Sequence, residues 1–465
     1  MRLSHRWRTD GAVFDDENLV SCAGLIPVMA LAEQAGLSEL LDDHVRFSDE
    51  RIRSGGANPA GKLTTVIAGL AAGADSIDDL QVVRSGGMKK VFSAVYAPST
   101  LGIHLREFTH GHVRQLDAVL TRHLLALVRR TDLLKGIEAQ ARVDVDSLLR
   151  PVYGHQKQGA SFGHTKIANR QVLRKGLSPL AVTISTPAAA PVLAAVRLRA
   201  GKAGSGRGAA RIVVEAINTA KKAGASNILV RGDSAYGNSD VINAVIKTGA
   251  RFSFVLTKNQ SVSQAIAAIP DDAWTPVHYP GAVEDPDTGE LISDAEVAEI
   301  DYTAFASTKG KVTARLIVRR VKDRNHLDAL FPVWRYHPFF TDNTEPVADA
   351  DITHRQHAIV ESVFADLIDG PWAHMPSSRF SSNAAWTVLA AITHNLLRAA
   401  GTLAAPHLAK ARGATLRRQL VNVPARIARP QGRRILHLPE HWPHAQQWKD
   451  LWDNICTNQH RQVAA

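Results

Sequence analysis

The feature that most restricts how this chain folds is a change of hydrophobic period near Ala141. Before that point apolar residues recur every three or four positions. Leu25, Val28, Met29, Leu31 and Ala32 do so, and Val113, Leu116, Val119, Leu120, Leu124 and Leu127 do so again, which is the spacing of one helix face. After it, Val143-Asp144-Val145-Asp146 alternates strictly, the period of a strand with one buried face. Strand-like runs follow at 180–184 and 192–198. A Gly-rich loop at 201–208 leads into a helical pattern at 209–223. A short buried strand at 227–230 ends at Arg231-Gly232-Asp233. A second helix over 239–247 and a strand over 252–256 complete the series. Three strands before the first helix, then alternation, is an α/β layer but not a plain βαβ series.

The rest of the chain fits around that layer. Pro270, Pro276, Pro280 and Pro286 interrupt the segment beyond 260, and a strand-like run follows at 312–321, so this stretch reads as a β-rich insertion. Helical spacing returns at 353–368 and 383–400. The tail holds two short apolar runs, 419–423 and 433–438, that suit a hairpin. The resulting division is a helical region over 1–138, an α/β core over 139–258 and 351–400, an insertion over 259–350, and a basic region over 401–465. The helical region suits either a helix-turn-helix unit or a supporting domain. No internal repeat is visible.

Charge and composition narrow the function. Lys and Arg total 55 against 44 Asp and Glu, a formal net charge of +11 that favours an anionic partner, most often nucleic acid. The stretch from Asp369 to Glu440 holds no acid between its ends, yet contains Arg379, Arg398, Lys410, Arg412, Arg417, Arg418, Arg426, Arg429, Arg433 and Arg434. That one-sided stretch is the clearest electrostatic footprint in the chain, and a basic surface that merely stays solvated is the alternative reading. At 45% hydrophobic and 21% charged residues the chain is not disordered. Two cysteines, Cys22 and Cys456, cannot build a disulfide framework or a structural zinc site, and they suit a reducing cytoplasm. The N-terminal residues lack the apolar core of a signal peptide. The least charged stretch, 178–196, is broken by three prolines and is no membrane span.

Three carboxylates stand at chemically useful places. Asp146 closes one expected strand, Asp233 closes another, and Glu361 lies on a later helix. Such a trio suits two divalent ions about 3.5–4 Å apart for in-line phosphoryl transfer, and hard oxygen donors suit Mg²⁺. Asp144 shares a strand face with Asp146, so spacing alone does not choose between them. The Gly-rich loop lacks the order of a phosphate-binding P-loop and fits a strand-to-helix connection. His354, His357, His374 and His394 lack a thiol partner and make a weak zinc signal.

The contexts of these carboxylates carry a family resemblance. Val143-Asp144-Val145-Asp146-Ser147, Gly154-His155-Gln156-Lys157-Gln158-Gly159-Ala160, Val230-Arg231-Gly232-Asp233-Ser234-Ala235-Tyr236-Gly237 and His354-Arg355-Gln356-His357-Ala358-Ile359-Val360-Glu361 together resemble bacterial insertion-sequence transposases of the DDE type. The likeness runs from about residue 15 to 455. It implies an RNase H-like mixed sheet flanked by helices, with a helical N-terminal region and a β-strand insertion before the catalytic Glu. It also implies Asp146, Asp233 and Glu361 as catalytic and metal-binding residues, with Asp146 preferred over Asp144 because a small hydroxyl residue, Ser147, follows it. The cofactor would be two Mg²⁺ or Mn²⁺ ions. The partners would be double-stranded DNA, as element ends and target, and a second copy of the chain in a synaptic dimer, in the bacterial cytoplasm.

DNA contacts are expected at His354, His357, Lys157, Arg417, Arg418, Arg433 and Arg434. The resembled branch carries a Tyr and an Arg before the Glu and a Lys after it. Here those positions hold His354, His357 and Ile368, which removes one DNA contact. An inserted aromatic of that branch stacks on a flipped base, and Trp274, Tyr279, Trp334 and Tyr336 are the candidates. Two other readings stay open, a structure-selective nuclease on the same fold and a DNA-binding copy with weakened catalysis. A small-molecule enzyme would need a nucleotide pocket at the Gly-rich loop.

Overall fold

The computed structural model describes residues 10–47, 55–154, 156–167, 170–277, 295–322 and 333–457. Tyr279, Pro280, Pro286 and His155 lie outside the described residues.

Among the described residues, five main helices precede the sheet: α1 (Leu25–Gln34), α2 (Leu37–His44), α3 (Pro59–Ala72), α4 (Pro98–Arg106) and α5 (His110–Arg130). Helix α5 follows the expected spacing, with Val113, Leu116, Val119, Leu120, Leu124 and Leu127 buried. Thr109 caps its first turn reciprocally with His112, and Arg129 and Arg130 lie in its last turn, where the helix dipole favours cations. Helices α3 and α4 both begin with a proline, whose missing N–H costs nothing there.

Among the described residues, six main strands build the first part of the sheet: β1 (Ala141–Ser147), β2 (Ser161–Ile167), β3 (Arg170–Ser185), β4 (Val192–Ala200), β5 (Ile228–Gly232) and β6 (Arg251–Val255). Across the sheet the order is β4-β3-β1-β5-β6. Strand β3 is antiparallel to β1 and β4, whereas β1, β5 and β6 run parallel. That is the RNase H-like arrangement: an antiparallel trio followed by two right-hand neighbours reached through helices. The crossovers are α6 (Ala209–Lys222), which buries Ile212, Val213, Ala216 and Ile217, and α7 (Ser239–Lys247), capped by the Asn238 side chain on the Val241 N–H. After α8 (Gln260–Ala267) come β7 (Ala295–Ala304), β8 (Val312–Lys322) and β9 (Trp334–Thr341). They are antiparallel and join β6 through β9, so these strands lengthen the same sheet.

The chain then forms α9 (Val347–Arg355), a 3-10 turn at Gln356–Ala358, and α10 (Ile359–Ile368). The long α11 (Phe380–Ala404) is buried nearly all round, because it packs against α3, α5 and β4 together. It joins the helical region to the sheet in one hydrophobic core. In the tail the first arm of the hairpin is Ala425–Ala428, not the run at 419–423; residues Arg417–Val421 continue a helical turn. The arm pairs with Ile435–His437 on one side and Leu19–Val20 on the other. Helix α12 (Ala445–Trp452), continued by a π-helical turn at Asp453–Thr457, closes the described chain. No helix among the described residues is long and apolar enough to cross a membrane.

Candidate active site

The parallel pair β1 and β5 sets the geometry. Asp144 is the register partner of Arg231, and Val145 of Gly232. The next residues, Asp146 and Asp233, therefore leave the two strands side by side, where neighbouring strands lie about 4.8 Å apart. Side chains repeat every second residue, so Asp144 and Asp146 share one sheet face, as do Arg231 and Asp233. Gly232 permits the close packing: a Cβ there would sit 3.0 Å from the side chains of Val145 and Phe254.

Asp144 and Asp146 have different surroundings. Asp144 is 1% exposed and accepts from Arg231 Nε at 2.7 Å and Nη2 at 2.8 Å, and Arg231 itself is fully buried. Asp144 is thus an internal counter-ion. Asp146 is half-buried at the strand end and accepts from the Ser147 N–H at 2.6 Å. Burial raises its carboxyl to about 7, and the negative charges of Asp233 and Glu361 push in the same direction. Asp233 is exposed and bends its own loop by accepting from the Ala235 N–H at 2.9 Å. Buried Tyr236, in that loop, donates its hydroxyl to Ser147 Oγ at 2.9 Å and so ties the Asp233 loop to the end of β1.

Glu361 reaches this region from α10. Val360, Val363, Phe364 and Leu367 bury one face of that helix, leaving Glu361 exposed in its first turn, where the dipole favours a carboxylate. The junction before α10 is held from the sheet. Arg231 Nη1 donates to the Thr353 carbonyl at 2.5 Å and Nη2 to the Gln356 carbonyl at 3.4 Å. His354 is 5% exposed, shares a 2.8 Å hydrogen bond with Ser253 Oγ, and stacks on Phe339 at 4.2 Å. Burial holds its imidazole well below its usual range, hence neutral.

The three carboxylates are close enough for Asp146 to respond to the other two, yet no three His, Cys, Asp or Glu side chains among the described residues converge on one metal position. The donors themselves, three carboxylates whose charges oppose one another, suit a hard divalent cation. The same absence of a cluster covers the four histidines weighed for zinc.

Other expected contacts have assorted positions. His354 packs inside and is not offered to a phosphate. His357 is half-buried, its Nδ1 2.7 Å from the His354 carbonyl. Lys157 bonds the Met375 carbonyl. Ile368 packs against the core at the end of α10. Arg417 is half-buried and 3.5 Å from the Asp369 carbonyl, whereas Arg418, Arg433 and Arg434 are exposed. In the insertion, Trp274 and Trp334 enclose the Arg320 guanidinium at 4.3 and 4.4 Å, and Lys258 lies over Tyr336. The Gly-rich loop turns its carbonyls inward: Arg199 donates to Gly204, Ser205 and Arg207 at 3.2, 2.7 and 3.1 Å. A loop organised around a guanidinium in this way has no cradle of inward N–H groups for a nucleotide phosphate.

Arg231 and Tyr236 stand in the stretch around Asp233 without a role assigned from sequence, and Arg199 is not singled out at all. The signal for Arg231 was present: it precedes Asp233 by the same two residues by which Asp144 precedes Asp146. Tyr236 meets Ser147, 89 residues away in sequence; Arg199 bonds the nearby Gly-rich loop, and no periodicity in that loop marks it.

The sheet and its carboxylates belong to a recognised class. The family model described as "Transposase DDE domain group 1" matches residues 9–460, and the chain belongs to that family. It is accordingly a DNA transposase, an enzyme of DNA phosphoryl transfer, in a family that generally uses divalent metals. A comparison with curated proteins finds no match. Among solved structures, the chain is similar to one titled "Cryo-EM structure of piggyBac transposase synaptic complex with hairpin DNA", with 9% identity and a TM-score of 0.40, over 97% of this chain and 80% of that one.

Proposed function

We propose that Asp146, Asp233 and Glu361 are the catalytic carboxylates, that they hold two divalent ions, Mg²⁺ or Mn²⁺, and that the enzyme nicks and rejoins DNA at the ends of its own element. The observation that carries this reading is the β1–β5 register, which sets Asp146 beside Asp233, with the raised Asp146 carboxyl reporting both neighbouring charges. When bound, the ions would lower the pKa of the attacking water or 3′-hydroxyl and stabilise the leaving oxygen.

The protein groups supply position and charge. Ser147 N–H fixes one oxygen of Asp146, and the Ala235 N–H fixes one of Asp233. Tyr236 holds the two strand ends together. Arg231 fixes the start of the α10 segment from below. Water opens the DNA end first, and the freed 3′-hydroxyl then attacks the opposite strand or the target. No covalent protein–DNA intermediate is required, because positioning and electrostatics stabilise the transition state. Recognition of the terminal inverted repeats and pairing of two ends by a homodimer belong to the same proposal.

The test uses purified protein, a duplex carrying the element's end, and divalent cation present or withheld. Wild type, Asp146→Asn, Asp233→Asn and Glu361→Gln are scored for nicking at the element boundary. Metal-dependent nicking lost in all three variants is the expected result. Nicking that survives in Asp146→Asn would overturn the assignment of the first carboxylate.

A further inference from the structure

A cavity of about 470 Å³ opens beside α10, at the opposite end of β1 from Asp146. Five cationic side chains line it: Arg142, Arg231, Arg398, Lys410 and Arg412. No carboxylate does. Three of the five are matched from behind the wall. Asp144 takes Arg231, buried Asp366 takes both Arg398 and Arg412, and Asp369 is 3.3 Å from Arg412. Arg142 and Lys410 are left. Neither meets a carboxylate within ion-pair distance among the described residues. Arg142 bonds the Gln356 side chain, and its Nε is buried with no hydrogen-bond partner. The acids whose charge acts on it are Asp144, already engaged, and Glu345, against the opposing charge of Arg231. Lys410 is exposed, with only the Pro187 carbonyl at 3.4 Å.

A half-buried guanidinium left without a counter-charge is costly unless an anion joins it, and Arg forks match phosphate oxygens well. Ser185, Thr186 and Ser362 add hydroxyls to the same wall, and Pro187, Pro191 and Ile359 give apolar surface that suits a sugar. Arg142 is four residues before Asp146, about 13 Å along the strand. Ile359 and Ser362 flank Glu361 on α10, so one helix borders both the cavity and the carboxylates. A duplex carries one charge per about 1.7 Å of axis, so DNA at the carboxylates presents several phosphates within that reach.

We propose that this cavity seats a phosphodiester group of the DNA backbone away from the cleaved bond, gripped by Arg142 and Lys410. The inference rests on the reading that the chain acts on DNA. It adds a contact outside the carboxylate site, one that joins Arg142 on β1 to Lys410 of the basic stretch. Being a phosphate contact, it orients the duplex without reading its sequence.

Full-length protein is titrated with a duplex of arbitrary sequence at several salt concentrations. Wild type, Arg142→Gln, Lys410→Gln and the double variant are compared, with melting curves for each. The expected result is weaker binding and a slope of log affinity against log salt that flattens by about 0.9 per residue removed. Lys410→Gln, at an exposed position, keeps the test valid if Arg142→Gln melts early. Variants that bind with the wild-type slope overturn the proposal. Inorganic phosphate is a separate arm. If it raises the wild-type melting temperature while the variants retain the wild-type DNA slope, the cavity takes free anion, and the DNA assignment is wrong. Wild type that binds no duplex at low salt would instead refute the DNA-acting reading itself.

Discussion

Asp144 and Arg231 face each other across β1 and β5 as a fully buried bidentate pair, two residues behind Asp146 and Asp233 respectively. The same guanidinium reaches the Thr353 and Gln356 carbonyls, at the start of the segment that leads to Glu361. One side chain therefore joins the three chain segments that carry the proposed catalytic carboxylates, without being one of the metal-binding groups.

Removing one partner of this pair should be severe. Arg231→Met leaves Asp144 buried and uncompensated, a loss of about 3–5 kcal/mol. Arg231→Lys should also destabilise, because an ammonium cannot bond both oxygens and both carbonyls at once. Joining Asp144→Leu to Arg231→Met should restore most of the stability but not the nicking rate, since the Thr353 and Gln356 carbonyls still lack their donor. Urea midpoints and single-turnover nicking check this. A double variant no more stable than Arg231→Met alone would mean that the pair is not the source of the loss.

The Asp146 carboxyl gives a pH prediction. It titrates at about 7 in the folded protein and near the ordinary carboxylate value when unfolded. The folded form thus holds its proton longer. The stabilisation from this group is complete below the unfolded value and is lost as pH rises through about 7. Without divalent cation, Asp146→Asn should therefore be more stable than wild type at pH 8, on the order of 1–3 kcal/mol after allowance for solvent screening. The two should converge near pH 4. Divalent cation should reverse the order at pH 8, because it binds the ionised wild type. Equal stability of the two at pH 8 without metal would show that Asp146 is not under this repulsion.

His354 separates a structural role from a DNA contact. The His354→Ala variant loses the Phe339 stack and the Ser253 hydrogen bond, about 2–3 kcal/mol together. Its lowered pKa adds a pH signature: the unfolded imidazole takes up a proton as pH falls below about 6.5, so wild-type stability declines there and the variant's declines less. Duplex affinity measured under folding conditions should stay unchanged. A clear loss of affinity in folded His354→Ala would return this residue to the DNA surface.

The catalytic layer was legible because its strands and helices announce themselves by period. The short apolar strands β1, β4 and β5 and the helices α6 and α7 stand close to where alternation and helical spacing put them. Strand β3 was read only as its apolar half at 180–184, since Arg170, Arg174 and Lys175 upstream are exposed and give no burial pattern. Spacing alone did not choose between Asp144 and Asp146, because one strand face holds both. What separates their surroundings is Arg231, a contact between residues far apart in sequence. His354 misled for a related reason: on a helix it occupied a polar-looking position, but the chain before α10 folds onto β6 and β9, and the ring is buried there against Phe339.

The basic stretch after Asp369 divides in the same way, into charges spent inside and charges left for a partner. Asp366 is 4% exposed and accepts from Arg398 at 3.2 Å and from Arg412, while Arg426 pairs with Asp16 at 3.2 Å. Arg418 and Arg433 are exposed and make no side-chain ion pair among the described residues. Arg398→Gln should therefore lower the melting temperature, by leaving Asp366 short of a buried partner, and hardly alter how DNA binding depends on salt. Arg418→Gln and Arg433→Gln should do the reverse. Each should leave melting unchanged and flatten the salt slope by about 0.9 if it meets a phosphate. Melting curves and duplex titrations of the three variants decide it. An Arg398→Gln slope as flat as that of Arg433→Gln would mean that the Asp366 pairing opens when DNA binds.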